Sequence, residues 1–327
     1  MLSRVADALF WMSRYLERAE HVARLLDVCF HLDLDLHGLL SGRPDLHWNA
    51  LMAIIQPNRV PDESSNGQEP LDPDAISESL MFDLSNHGSV MSCVNRARSN
   101  ARSVRGTING EMWKELNKLY WQLTDEQFCA QARESPYDFC QAVECGSHLV
   151  QGVCDATLTH DEGWQFIQLG KFLERADKTL RTLDVQHGLL TSMADPLDLS
   201  LTNLLWGAVL RSCRAYEAYQ TRYVGRVEPE HVIELLLLHR NFPRSVLFSL
   251  ESAAAALEQI ELSMPGRDTS PADRLLGRVL SDLKFMEVDD LMNRDLHGFL
   301  GEALEGCARV SRAIQEQYSF HYWAAAR

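Results

Sequence analysis

The sequence predicts an all-α protein: an internally duplicated, pseudo-two-fold helical bundle in which two long opening helices pack together. Residues 15–28 return as residues 172–185 with eight of fourteen positions identical, where composition alone gives about one. Apolar residues recur at spacings of three and four, which is typical of amphipathic helices. Alternating strand patterns and Asn-Gly hairpins between apolar runs are missing. These observations favour helices throughout.

Each half of the sequence opens with a long amphipathic helix. We expect the first over about 3–30 and the second over about 162–187. Their apolar seams have the same phase, and consist of Leu9, Met12, Leu16, Ala19, Ala23 and Leu26 in the first helix and Phe166, Leu169, Leu173, Ala176, Leu180 and Leu183 in the second. The segment 31–37 alternates too strictly for one helical face, and we interpret it as the frayed end of the first helix.

Shorter helices are predicted from apolar spacing, caps and first-turn prolines. In the first half we expect them at about 46–55, 74–83, 89–105, 109–123 and 137–156. In the second half we expect them at about 198–222, 229–239, 243–260, 271–287 and 289–318. The prolines and small polar residues of 56–73 indicate a surface loop insert.

The repeat indicates one domain over residues 1–327, built from two copies at about 1–156 and 157–327. Residues 85–90 align with residues 241–246 at an offset of 156, and each segment enters a helix with a Ser-Val step. Similar offsets at two distant places indicate the same helix order in both copies. Because paired apolar seams can bury each other, a single bundle is favoured over two unrelated domains.

Charge and composition exclude several classes of protein. The net charge of −15 argues against a broad nucleic-acid interface, although a local basic patch remains compatible with it. No apolar run approaches the roughly 18 residues that a membrane span needs. The eight cysteines include no Cys-x-x-Cys pair, which disfavours structural zinc, and the charged first twenty residues do not resemble a signal peptide. We therefore expect a cytoplasmic protein with no membrane or nucleic-acid partner.

A charged stripe runs beside the apolar seam of each opening helix. The order acid, acid, arginine, acid occurs in both copies, as Glu17, Glu20, Arg24 and Asp27 and as Glu174, Asp177, Arg181 and Asp184. One interpretation is a set of ion pairs that fixes the register of the two helices. The alternative is a shared cleft in which Glu17 and Glu174 face one substrate as acid and base.

A metal or other cofactor is not expected at this stripe. Di-metal helical bundles combine paired carboxylates with a Glu-x-x-His spacing. Here His21 lies four residues after Glu17, and the second copy has Lys178 in its place. An ammonium group is not a metal ligand.

Arginines supply the other candidate binding groups. Arg98, Arg102 and Arg105 share one helical face and could clamp a phosphate or carboxylate, or else pair with acids of the protein itself. The second copy has only Arg240 and Arg244 nearby. The full set of candidate binding residues is Arg98, Arg102, Arg105, Arg244, Arg18, Arg175, Glu20, Asp177, Arg24 and Arg181.

The polar hinge 157–164 holds two more catalytic candidates. Asp161 is placed to cap the second opening helix, and Trp164 to anchor it by packing. Alternatively, Asp161 and Glu162 could act in acid-base chemistry together with His160. The sequence has no Gly-x-Ser-x-Gly elbow, P-loop, Gly-x-Gly-x-x-Gly or His-Glu-x-x-His motif.

Six segments are spread in order over nearly the whole chain: Met1–Asp7, Tyr15–Glu20, Asn100–Arg105, Asp161–Trp164, Leu173–Asp177 and Phe242–Val246. Together they resemble the alpha-E family of bacterial all-helical proteins. Lys171 and His160 depart from the resemblance, since arginine is expected at both positions. The resemblance implies a gene beside, or fused to, a circularly permuted ATP-grasp protein, often with a transglutaminase-like protein nearby.

Three hypotheses about function follow from the resemblance and the motifs. The preferred one is an auxiliary or substrate-binding subunit of an ATP-grasp amide or peptide ligase system, with the circularly permuted ATP-grasp protein, a transglutaminase-like protein and a peptide substrate as partners. The second is an enzyme that acts on the amide-linked product, with Glu17 and Glu174 as acid and base and Arg102 holding an anion. The third is a helical scaffold or homo-oligomer.

Overall fold

The computed structural model describes residues 1, 3–36, 46–56, 72–191, 199–263 and 270–319. Every regular element in these residues is helical and none is a strand, which confirms the predicted all-α class. The first half contains α1 (Ser3–Leu36), α2 (Leu46–Ile55), α3 (Pro73–Phe82), α4 (Val90–Ser103), α5 (Gly110–Leu123), α6 (Glu126–Glu134) and α7 (Tyr137–Thr157). The second half contains α8 (Glu162–Thr191), α9 (Leu199–Ser212), α10 (Tyr216–Arg222), α11 (Pro229–Ile233), a π-helical turn (Glu234–Leu238), α12 (Val246–Leu262), α13 (Pro271–Lys284), α14 (Val288–Met292) and α15 (Leu296–Ser319).

The two opening helices, α1 and α8, pack together at the centre of the bundle, as predicted. Helices α4 and α7 pack on α1, and helices α12 and α15 pack on α8. The predicted seams of α1 and α8 are buried and belong to one hydrophobic core, which also takes residues from both halves of the chain. The internal duplication and the single domain over 1–327 stay predictions.

At Gly170 the backbone of α8 comes very close to α1. A Cβ atom at this position would lie 2.3 Å from the Phe10 backbone oxygen and 2.3 Å from Ser13 Oγ. Real Cβ atoms do not approach other atoms so closely, so only glycine allows the two helices to cross at this distance. The crossing brings the charged stripes of the two helices side by side.

Corresponding serines begin α4 and α12 in the same way. Ser89 Oγ accepts a hydrogen bond from the Ser92 backbone N–H at 3.0 Å, and Ser245 Oγ accepts one from Phe248 N–H at 3.1 Å. Each hydroxyl also donates to a carbonyl six residues earlier, that of Asp83 at 2.6 Å or that of His239 at 2.5 Å. These caps hold the two preceding turns against α1 and α8, beside the charged stripes.

Several helix boundaries differ from the sequence prediction. Helix α1 continues to Leu36, because Leu32 is buried and Asp33 accepts hydrogen bonds from His47 Nε2 at 2.6 Å and Trp48 Nε1 at 3.1 Å. The helix predicted at 198–222 is broken at Arg214, which has a φ of 48°. Helix α6 was not predicted, although Asp125 caps it by accepting from the Phe128 backbone N–H at 2.9 Å.

The predicted loop insert at 56–73 lies mostly outside the described residues, and its last residue, Pro73, already opens α3 behind the Asp72 cap. The helix predicted at 289–318 is divided into α14 and α15, and the one predicted at 229–239 ends in the π-helical turn. Within the described part of the chain, no helix combines the length and apolarity that crossing a membrane requires.

Candidate functional site

The charged stripes meet at the α1–α8 interface through two reciprocal ion pairs. Arg175 donates to Glu17 through Nε at 2.8 Å and through Nη2 at 2.9 Å. Arg18 donates to Glu174 through Nε at 2.6 Å and through Nη2 at 3.1 Å. Both carboxylates are almost completely buried. Each Glu-Arg dipeptide therefore gives its glutamate to the arginine of the other helix, in the bidentate geometry that favours charge-assisted hydrogen bonds.

On one side of this interface, Glu17 and Glu20 form a cluster that other side chains close. Arg244, from the turn before α12, donates to both carboxylates. Arg24 donates to Glu20 at 2.5 Å. Helix α7 completes the cluster with donors to Glu20, namely Ser147 Oγ at 2.8 Å, Gln151 Nε2 at 3.2 Å and His148 Nε2 at 3.1 Å.

The closed cluster holds its acids ionised. Burial raises the pKa of Glu20, but Arg24 and Arg244 outweigh burial and bring that pKa well below its usual value. Glu17 shows the same balance, with Arg175 as the main cation, and its pKa is lowered. Burial and Arg24 lower the pKa of Arg244 to about 10, so its guanidinium still carries a charge at neutral pH.

On the other side of the interface, Glu174 and Asp177 form a second cluster. Arg14 Nε donates to Glu174 at 2.7 Å, in addition to Arg18. Arg181 binds Asp177 through two hydrogen bonds of 2.9 and 3.1 Å. The Lys178 ammonium lies 3.7 Å from Glu174 and 3.3 Å from Asp177. Burial raises the pKa of both acids, but these cations outweigh it, most strongly at Glu174.

A cleft of about 860 Å³ opens over the second cluster, between α1, α8, α15 and the turn before α4. Its charged lining is mostly cationic, and consists of Arg14, Arg18, Lys178, Arg181, Arg312 and one acid, Asp177. Arg312 is exposed and forms no ion pair with the residues that the structure describes. The apolar part of the lining includes Trp11, Ile55 and Leu173.

Two sequence differences between the repeated segments distinguish the open cluster from the closed one. In the alignment of 85–90 with 241–246, Gly88 stands where the second copy has Arg244, and Gly88 lines the cleft. At the position of His21 in α1, helix α8 has Lys178. Each cluster therefore keeps one extra cation, from the turn in the closed cluster and from the helix in the open one. Without an arginine side chain at position 88, space remains above Asp177.

His21 faces the same cleft as a buried, uncharged side chain. It is 3% exposed, and its Nε2 atom has no hydrogen-bond partner among the described residues. Burial lowers its pKa well below the usual value, and Arg24 and Lys178 lower it further. The imidazole is therefore neutral at neutral pH.

The chain also matches a known family whose description names a Glu-Arg motif. Residues 1–319 match the alpha-E family, described as a predicted alpha-helical domain with a conserved ER motif. The chain belongs to the alpha-E family. Its Glu-Arg sequences are Glu17-Arg18 and Glu174-Arg175, so in this alpha-E protein both take part in the reciprocal pairs between α1 and α8.

Similar curated proteins come from mycobacteria. An uncharacterized protein of Mycobacterium bovis and one of Mycobacterium tuberculosis strain CDC 1551 are each 24% identical to this chain, and one of M. tuberculosis strain H37Rv is 23% identical. Each match covers 96% of this chain and 36% of the relative. The chain thus spans about a third of the length of these relatives. No solved structure matches it.

The structure separates the two principal catalytic candidates. Glu17 lies in the closed cluster and Glu174 in the open one, and neither side chain lines the cleft. Asp161 accepts hydrogen bonds from the Gly163 and Trp164 backbone N–H groups at 2.9 and 3.3 Å, in the capping position. Glu162 accepts from the Met1 amino group at 2.8 Å. A catalytic role of these carboxylates stays a prediction.

The predicted arginine row on α4 is not brought to the cleft. Arg98 stacks over Tyr120 at 4.3 Å and donates to Asn117 at 2.7 Å. Arg105 lies over the Trp113 ring at 5.5 Å, and Arg102 is exposed. The guanidinium groups of Arg98 and Arg105 therefore pack on aromatic rings of α5.

The sequence reasoning missed several residues of the cleft. Arg14 lies one helical turn before Arg18, and this spacing alone could have included it in the stripe. The pairing of Gly88 with Arg244 in the alignment also gave a signal. The sequence contained no signal for Arg312, because only the packing of α15 places this residue at the cleft.

Among the described residues, no group of three His, Cys, Asp or Glu side chains is arranged to hold a metal ion.

Proposed function

We propose that this alpha-E protein is a substrate-binding subunit that holds an anionic, peptide-like acid for an ATP-grasp amide ligase. The observation that supports binding most directly is the charge of the cleft. Five cationic side chains line it, against Asp177 in the lining and Glu174 beneath. The described part of the cleft therefore has an excess of positive charge in a protein whose net charge is −15.

The ligand suited to this cleft is a carboxylate or phosphate compound of some size. Glu174 and Asp177 occupy only part of the hydrogen-bonding capacity of the guanidinium groups around them, and Arg312 has no acid partner among the described residues. Arginine binds carboxylate and phosphate in bidentate geometry. A volume of about 860 Å³ is typical of sites for small molecules and short peptides and exceeds the needs of a simple ion.

Catalysis by Glu17 and Glu174 has less support than binding. A general acid must hold a proton at the working pH, and the arginines keep the pKa of both carboxylates below the usual value. Each carboxylate is also covered by its partners, which leaves no approach for a substrate from the cleft. The enzyme hypothesis is therefore the second candidate.

The link to a ligase is supported by the family resemblance. It implies a gene beside, or fused to, a circularly permuted ATP-grasp protein, and we propose that protein as the partner, with a transglutaminase-like protein as a further one. The mycobacterial relatives extend well beyond the matched region, which leaves room for a fused domain. ATP-dependent amide formation starts from a carboxylate, which is the kind of group that a cationic cleft attracts.

Calorimetric titration with amide-free anions tests the binding part. The probes are tricarballylate and inorganic phosphate, so that carboxylate and phosphate are compared directly. We expect Arg312→Ala to weaken binding of the preferred anion about threefold to fivefold, the range for an exposed charge pair. Arg309→Ala is the matched control, because Arg309 is exposed on the same helix and lies outside this cleft. Absence of binding, or equal effects of both substitutions, would contradict the proposal.

ATP consumption by the neighbouring circularly permuted ATP-grasp protein tests the ligase part. We expect addition of the wild-type chain to change the rate of ATP turnover in the presence of the acid substrate. The change in ATP turnover should be smaller with the Arg312→Ala variant than with the Arg309→Ala variant. If the chain neither alters turnover nor associates with the ligase, the ligase part is wrong, whatever the outcome of the titrations.

A further inference from the structure

His21 gives the lining of the cleft a group that differs chemically from its cationic side chains. The imidazole is nine-tenths buried or more, lines the cleft, and leaves Nε2 without a partner among the described residues. Nε2 itself is covered in the structure, so a ligand in the cleft reaches it by a turn of the imidazole ring. A buried polar atom is costly to leave unpaired, so that contact adds binding energy. The surrounding ion pairs do not use the Nε2 atom of His21.

The groups around His21 keep it uncharged. Arg24 from its own helix, Lys178 from α8 and Arg244 from the turn before α12 all lower its pKa, in addition to burial, and Glu174 opposes them. A neutral imidazole nitrogen either donates or accepts one hydrogen bond, depending on the tautomer. His21 can therefore bind an uncharged polar group of either kind.

An anionic group is not favoured beside His21, because the Glu174 carboxylate acts electrostatically on this side chain. Arg312 is exposed and has no acid partner among the described residues, so it can attract an anion. The surroundings of His21 and of Arg312 thus suit two different parts of one ligand.

We propose that His21 Nε2 hydrogen-bonds to an amide group of the bound ligand while the arginines hold its carboxylates. The inference rests on the proposed function and narrows the ligand to an acylated amino acid or short acidic peptide. His21 is then the residue that distinguishes such a ligand from a plain polycarboxylate of equal charge.

Titration with two probes of equal formal charge tests the role of His21. N-acetyl-glutamyl-glutamate and tricarballylate each have three carboxylates, and only the former has amides. We expect the peptide to bind wild-type protein about tenfold more tightly, the usual scale for satisfying one buried polar group. His21→Leu should remove this preference and leave tricarballylate binding unchanged. His21→Gln should keep part of the preference for the peptide. His160→Leu should keep all of it, because His160 is an exposed histidine outside the cleft.

Nitrogen NMR of the wild-type protein provides a second measurement that requires no folded leucine variant. The Nε2 resonance of His21, assigned by its loss in His21→Gln, should move on addition of the peptide and not on addition of tricarballylate. An unmoved resonance, or an equal effect of His21→Leu on both probes, overturns the inference. If both probes bind with equal affinity to wild-type protein, only the role of His21 is wrong. If neither binds, the proposed binding function has failed and the inference falls with it.

Discussion

At the scale of residues, the two Glu-Arg dipeptides explain how this helical pair tolerates buried charge. Desolvation alone would force Glu17 and Glu174 to take up protons, but each receives a bidentate guanidinium from the opposite helix. Because the partner is on the other helix, the pairs fix register between α1 and α8 as well as neutralising charge. The two Glu-Arg dipeptides therefore have a structural role in this chain.

Glu174→Gln tests this role at the level of one residue. The amide keeps the shape of the side chain but leaves Arg14, Arg18 and Lys178 without their shared carboxylate. We expect the free energy of unfolding to fall by about 3–5 kcal/mol, as when one partner of a buried ion pair is removed. Glu302→Gln, an exposed glutamate on α15, should change it by less than about 0.5 kcal/mol. Chemical denaturation measures both free energies of unfolding. Equal stabilities of the two variants would show that the buried ion pairs contribute little to the stability of the protein.

At the scale of elements, close packing at Gly170 determines how the stripes meet. The sequence predicted the two opening helices, their seams and their packing, because these depend on the periodicity of apolar residues. It did not predict which glycine marks the crossing, since that depends on the distance between two backbones. The break of the predicted helix at Arg214 depends on local backbone geometry, and helix α6, which was not predicted, depends on a single cap.

Gly170→Ala should destabilise the bundle strongly. The new methyl group meets the Phe10 backbone oxygen, which cannot change rotamer, so the two helices must separate. We expect a loss of about 3 kcal/mol in the free energy of unfolding. Gly188→Ala is the matched control on the same helix, since its Cβ would have nothing within 4 Å, and it should gain up to about 1 kcal/mol. Thermal unfolding compares the two, and a neutral Gly170→Ala would refute the close crossing.

At the scale of the whole molecule, the two charged clusters differ in the residues that cover them. The charged stripes could be predicted from sequence, and the alignment of the repeated segments even paired Gly88 with Arg244. The internal duplication of the fold stays a prediction. The cleft itself could not, because it also requires α15 and the α3–α4 turn to leave space that α7 and Arg244 fill on the other side. Function in this account arises from that asymmetry: one cluster is closed by the protein, and the other is open to a ligand.

Titration of Gly88→Glu against Gly88→Gln measures this central claim most directly. The two side chains have nearly the same size, and a Cβ at position 88 starts 3.0 Å from Ile55 Cγ2 and 3.3 Å from Asn86 Oδ1, both residues of the cleft wall. The variants therefore differ mainly in one negative charge in the cleft wall. We expect Gly88→Gln to bind the preferred anion and Gly88→Glu to bind it at least tenfold more weakly, since repulsion and competition for the arginines add. Equal affinity of the two variants would contradict an anion site in this cleft.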